Sequence, residues 1–400
     1  MRLILIPSDK FKDVQFSIRY IGENCEPDNT IRNLLAYLMT DRCIAYPTKQ
    51  AMNIKSDELY ALNLDAKVNA YGNYHGLEIR FKTLSELYSK ENHLKDVFEF
   101  IKGCIYEPLI NEQSLSEAKI NLKLSLARIL DNPSNLSIIK ANQLGSDHES
   151  LGNFSQGSLD LVDGIQIEDL VKAHKKMLLD NDIVIIGLGR IDLSYEKLLK
   201  DMFYIKASPF KNIGYYVKEK TYLEESIEKD VKQTSLSQLY TTQCTLYDQD
   251  YATLRVISFM LGQLPSSLLF QEVREKRSLC YSIYSSLNAF DGILSINTGI
   301  AKENHSQVLK LIDQQIQILR DGFYPDDLFN QAKLMLVNNF KSIEDEMSSY
   351  INILYTQMMV KNSFDLERLL KEIEAVTKDD VSRLMKHMKK LCTFTVYGEK

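Results

Sequence analysis

The chain has 400 residues, with 48 basic and 54 acidic side chains and a net charge of −6. It is too long for one ordinary core and of the wrong sign for a nucleic-acid backbone. Hydrophobic residues make up 44% and charged residues 26%, a soluble globular balance, and no apolar run approaches the roughly 18 residues of a membrane helix. Neither nucleic acid nor membrane is therefore an expected partner. The six cysteines (25, 43, 104, 244, 280 and 392) form no C-x-x-C pair and read as reduced thiols of a cytoplasmic protein.

The opening MRLILIPSDK has too short an apolar run for a secretion signal and reads as a first strand, followed after Asp9-Lys10 by alternation in Phe16–Tyr20. Thr30–Met39 has a helical apolar stripe, and Pro47-Thr48 starts a second helix through Leu62. Val68–Phe81 reads as a hairpin around Gly72-Asn73. Leu84–Ile105 and Leu115–Ile129 read as helices, the latter broken by Asp131-Asn132-Pro133. Helix Ile167–Leu178, buried strand Ile183–Gly187 and helix Tyr195–Phe203 follow, and Ala207-Ser208-Pro209 marks a linker. Gly187-Leu-Gly189-Arg-Ile-Asp192 imitates part of a dinucleotide fingerprint, but it lacks the third glycine and the βαβ unit, so it reads as a turn leaving a strand. Glu344-Asp345-Glu346 reads as a solvated helix face.

Beyond the linker the plan recurs. Strand Ser235–Thr242 corresponds to Phe16–Gly22, Gly292 to Gly76 at an offset of 216, and Ala332-Lys333 to Ala118-Lys119 at 214. Val381 corresponds to Val171 at 210, and Phe394–Gly398 to Ile183–Gly187 at 211. Matches in one order at similar offsets indicate two copies of one α+β unit. The expected divisions are 1–207, a linker at 208–218, and 219–400.

Leu261–Ile300 is the most informative stretch. A Gly262-x-x-Pro265 turn leads into a helical segment, Ser266–Lys276, with Leu268, Leu269 and Val273 on one side. The period then changes to two through Leu279, Tyr281, Ile283 and Ser285. Asp291-Gly292 is a turn signal, and Ile293–Ile300 alternates again. Arg274 falls on the last helical turn and Tyr281 on the following strand.

This block, S-x-L-F-x-x-V-R-E-K-x-x-L-x-Y-S, resembles the C-terminal half of subunits in the insulinase/pitrilysin family of zinc peptidases. The family's tandem plan covers essentially the whole chain, and the likeness points to the YmfF-like branch of small bacterial subunits, related to mitochondrial processing peptidase subunits. The resemblance implies an α+β fold of two tandem homologous domains, each a mostly antiparallel sheet with helices packed on one face. It also implies that Arg274 and Tyr281 bind the substrate backbone. Family peptidases hold zinc with His-x-x-Glu-His on a helix of the first half, where two histidines four apart share one face and the glutamate serves as base. Here that motif falls on Asn33-Leu34-Leu35-Ala36-Tyr37, and the distal ligand falls near Ser125. Asn33, Ala36 and Tyr37 are not zinc ligands, and no two of the six histidines lie within five residues. The chain is thus expected to bind no cofactor and to have no catalytic residues of its own. The implied role is a non-catalytic subunit beside a zinc-motif-bearing sister that brings the zinc, with a peptide as substrate. A purely structural scaffold is the alternative, and the isolated chain is expected to be able to form a homodimer.

Overall fold

The structure, a computed structural model, describes residues 3–146, 150–203, 215, 217–360 and 365–398; the expected linker at 208–218 falls largely outside them. Among the described residues, ten strands form two five-stranded sheets. The first sheet contains β1 (Leu3–Pro7), β2 (Asp13–Glu23), β3 (Asn63–Tyr71), β4 (Tyr74–Leu84) and β5 (Asp182–Gly189). The second contains β6 (Leu223–Lys229), β7 (Thr234–Thr241), β8 (Cys280–Asn288), β9 (Ile293–Ile300) and β10 (Lys389–Gly398). Their orders, β1-β5-β2-β4-β3 and β6-β10-β7-β9-β8, are the same permutation. Among the described strands, β1–β5 and β6–β10 pair in parallel and the other neighbours are antiparallel. This is the expected duplicated α+β class.

One expected match moves by a residue. Val171 is half exposed, whereas Val381 is buried, and the buried neighbour in the first copy is Leu170. Gln166 and Thr377 both open their helices with capping boxes, so these helices align at 211, the offset already found for the closing strands.

The chain forms two compact units, each drawn from both halves of the sequence. One comprises 1–127, 154–211 and 343–359; the other comprises 128–153, 212–342 and 360–400. In the first unit, alternation along β2 sends Phe16, Ile18 and Tyr20 into the main core with Leu77, Ile79 and Phe81 of β4. Phe16 stacks on Phe81 at 5.1 Å and meets Phe98 of helix Leu94–Tyr106 edge-on at 5.0 Å. The other face of this sheet is covered by helix Met347–Val360. Gln15 Nε2 donates to Ser348 Oγ at 3.0 Å, and Arg19 lies 3.9 Å from the ring centre of Tyr355. The acidic run before this helix is not simply solvated: Lys10 pairs with Asp345 at 3.3 Å, and Glu346 accepts from Ser348 N at 3.0 Å as a cap.

In the second unit, helix Pro133–Ser146 packs Leu136 and Ala141 against Leu239, Phe394 and Val396. Gly145 permits the approach, since a Cβ there would lie 3.0 Å from Leu239 Cδ1. Each sheet therefore carries a helix on its second face as well as the expected helical layer.

Three element boundaries differ from expectation. The helix starting after Thr48 stops at Glu58, because Tyr60 and Ala61 take left-handed φ values of 60° and 53° and turn the chain into β3. The stretch 84–105 is divided into Glu86–Ser89 and Leu94–Tyr106 by Lys90, also left-handed at φ 61°. Pro133 does break helix Glu112–Asp131, but it also begins Pro133–Ser146, where its missing N–H is needed by no partner.

Candidate functional site

Arg274 and Tyr281 are brought together in the second unit. Gly262 seats the preceding helical turn against β8, where a Cβ would lie 2.4 Å from Ser285 N. The segment Phe270–Glu275 is a wide helical turn rather than a regular α-helix. Lys276 N bonds Gln271 O five residues back at 3.0 Å, and Leu279 N closes the end on Val273 O at 3.0 Å, with Ser278 left-handed at φ 52°. Val273 is buried and anchors the turn, leaving Arg274 at its surface.

The Arg274 guanidinium sits 4.5 Å from the Phe270 ring centre and 5.7 Å from that of Tyr281. Among the described residues it makes no hydrogen bond, and its carboxylate contact is Glu275 at 3.8 Å. The neighbouring Arg277 pairs with Glu272, which also holds Lys276 at 2.9 Å. Tyr281 is 82% exposed. It occupies a bulge in β8: Cys280 pairs with Ile300 and Ser282 with Gly299, so Tyr281 is the extra residue. Strand β8 is an edge strand, and the bulge turns the phenol away from the ladder. The arrangement offers uncommitted guanidinium N–H groups and a phenolic O–H, donors suited to carbonyl oxygens. Phe270 was missed from sequence, although its spacing of four from Arg274 places both on one helical face.

The positions of the zinc motif are occupied differently. Asn33 lies buried on helix Asp28–Asp41, where its Nδ2 donates to Asn29 O and to Ser155 O, both at 2.9 Å. Ala36 is buried and Tyr37 packs partly buried against the core. Ser125 is half-buried on helix Glu112–Asp131 and carries no carboxylate. A committed amide, a methyl group and a phenol do not fit zinc. Among the described residues, no group of three or more His, Cys, Asp or Glu side chains could hold a metal ion.

His75 follows the hairpin turn at Gly72-Asn73 and is fully buried. Its Nε2 lies 2.8 Å from the Ser155 carbonyl and donates to it, leaving Nδ1 to accept from Arg32 at 3.3 Å. Burial first, and the Arg32 guanidinium second, push its pKa down to about 3. The depressed value means that the unfolded chain takes up this proton first. The stabilisation is complete above about pH 6.5 and is lost as pH falls toward 3. Wild type should lose about 2 kcal/mol more than His75→Gln between pH 7.5 and pH 5 in urea denaturation. Equal losses would show that His75 is not held neutral.

The fingerprint-like glycines are packing devices. A Cβ at Gly187 would lie 2.5 Å from Phe16, and Gly189 at φ 127° would place one 2.4 Å from Asp13 O.

Residues 164–336 match the Peptidase M16 inactive domain. The chain is 25% identical over 389 residues to the probable inactive metalloprotease YmfF of Bacillus subtilis, covering 94% of this chain and 91% of that protein. It is 20% identical to the non-peptidase homolog YmxG of Helicobacter pylori, over 72% of this chain and 67% of that one. The crystal structure of a conserved protein from Enterococcus faecalis V583 superimposes with a TM-score of 0.91 at 25% identity, covering 99% of this chain and 96% of the other.

Proposed function

We propose that the chain is a non-catalytic, peptidase-like member of the M16 peptidase family, as its likeness to the inactive domain and to YmfF supports, and that it is the substrate-binding subunit of a heterodimeric zinc peptidase. A sister subunit brings the zinc and the general base. This chain brings Arg274 and Tyr281 and half of the chamber, and the complex cleaves small peptides or unfolded segments in the cytoplasm. The carrying observation is the pairing of an uncommitted Arg274 guanidinium with an exposed Tyr281 phenol on a bulged edge strand. These groups donate to substrate carbonyl oxygens, which aligns the peptide and strengthens as negative charge develops on the oxygen under attack. Without the sister, the chain self-associates as a homodimer that has no peptidase activity.

The test is cleavage of a quenched fluorescent peptide library by this chain, by its zinc-motif sister, and by the mixture. Activity is expected only in the mixture. Equal activity of the sister with and without this chain would reduce the chain to a scaffold, and activity of this chain alone would overturn the assignment.

A further inference from the structure

We propose that Phe270 is a positioning residue, a role that rests on the assignment of Arg274 to substrate binding: its ring holds the Arg274 guanidinium in place and leaves the N–H groups open to the substrate. The Arg274 side chain is 38% exposed, and a stem of this length left to itself spreads over many rotamers. A carboxylate partner would order it, but would occupy the N–H groups that a substrate carbonyl oxygen needs. An aromatic neighbour orders it without that loss. The N–H bonds lie in the plane of the guanidinium, and a ring that attracts the cation through its π-face engages none of them.

Phe270 stands in that place. Its ring centre is 4.5 Å from the guanidinium carbon, and the Tyr281 ring is a second, more distant neighbour at 5.7 Å. The two residues four apart share one face of the wide turn Phe270–Glu275. Leu269 and Val273, each directly before one of them, are fully buried and fix the turn, and Phe270 itself is half-buried. The carboxylates of the segment do not compete. Glu272 is engaged by Lys276 at 2.9 Å and by Arg277. Among the described residues the carboxylate contact of Arg274 is Glu275, which at 3.8 Å is beyond hydrogen-bond reach.

The first test is NMR of the full-length chain alone with isotope-labelled arginine. The Arg274 side-chain signals, identified by their absence from Arg274→Ala, should carry a ring-current shift. Phe270→Leu should remove that shift and make the side chain more mobile, while Phe270→Tyr, which keeps a ring, should preserve both. The second test is cleavage by the reconstituted peptidase. Phe270→Leu should lower kcat/KM about fivefold, the scale of a cation–π contact at a partly exposed site, and Phe270→Tyr should cleave like wild type. Added to Arg274→Ala, Phe270→Leu should cost nothing further, an outcome that a merely structural role for the ring would not give. If Phe270→Leu does not fold, Phe270→Met, which keeps apolar bulk without a ring, replaces it in both tests. Arg274 signals without a ring-current shift, signals unchanged by the loss of the ring, or an equal fall in rate in the Arg274→Ala background would each overturn the proposal. An inactive mixture with the expected spectra would overturn the subunit role and leave Phe270 as the residue that orders Arg274.

Discussion

Glu78→Ala is expected to destabilise the chain by about 3–5 kcal/mol, the cost of leaving buried charge without its counter-charge. Glu78 and Arg19 are each 2% exposed and meet at 3.0 Å. One carboxylate oxygen accepts from Arg19, from Arg80 at 2.7 Å and from Ser17 Oγ at 2.6 Å. Burial pushes the Glu78 pKa up, but the two guanidinium groups and Ser17 outweigh it and hold the carboxyl below its usual range. Removing Glu78 leaves two guanidinium groups side by side, one of them pinned between the sheet and Tyr355. Urea denaturation followed by circular dichroism would measure the loss. Amide exchange should also quicken in 347–359, because Arg19 and Arg80 both donate to Asn352 of that helix. The paired change Glu78→Leu with Arg19→Met should recover most of the stability, since an apolar pair carries no desolvation cost. A loss below about 1 kcal/mol for Glu78→Ala would mean that water reaches the pair.

Arg274→Ala should lower the cleavage rate of the reconstituted peptidase roughly a hundredfold, about 3 kcal/mol of transition-state stabilisation. Tyr281→Phe, which removes one hydroxyl from an exposed ring, should have a smaller effect of about tenfold. Neither side chain is buried in the core, so both variants should melt like wild type. Single-turnover kinetics with the assembled complex would separate the rate of cleavage from substrate affinity. Unchanged rates in both variants would leave the chain a structural subunit. A fall in Arg274→Ala accompanied by loss of assembly would place the arginine at the partner contact instead.

Period-two alternation made most strands readable, and the recurrence of one element order made the duplication readable before any coordinates. Arg274 and Tyr281 were legible through the resemblance of the block that carries them to the insulinase/pitrilysin family, with the change from helical to strand period placing one on each element. Their relation was not, because it depends on a bulge at Tyr281 and on Phe270 beneath the guanidinium. Ser17 and Arg19 stand at the outward positions of an alternating strand, where sequence implies water. A helix more than three hundred residues later covers them instead, and local periodicity carries no record of which sheet a helix will join. The one-residue slip at Val171 has a similar origin: Leu170 and Val171 are both apolar, and burial together with the capping boxes decides which of them matches Val381. The broken helix at Lys90 turned on a left-handed lysine, a conformation that no residue preference announces.

The two covering helices, Pro133–Ser146 and Met347–Val360, stand at the same place in the repeat, 214 residues apart at both ends. Each of the two units includes the helix encoded in the other half of the sequence. The exchange is therefore reciprocal, the pattern produced when two copies of one chain swap an identical arm, here within a single polypeptide. A gene cut between the repeats would not yield two autonomous proteins. Each fragment would carry the lid of the other's sheet and lack its own, so the halves could mature only in each other's presence.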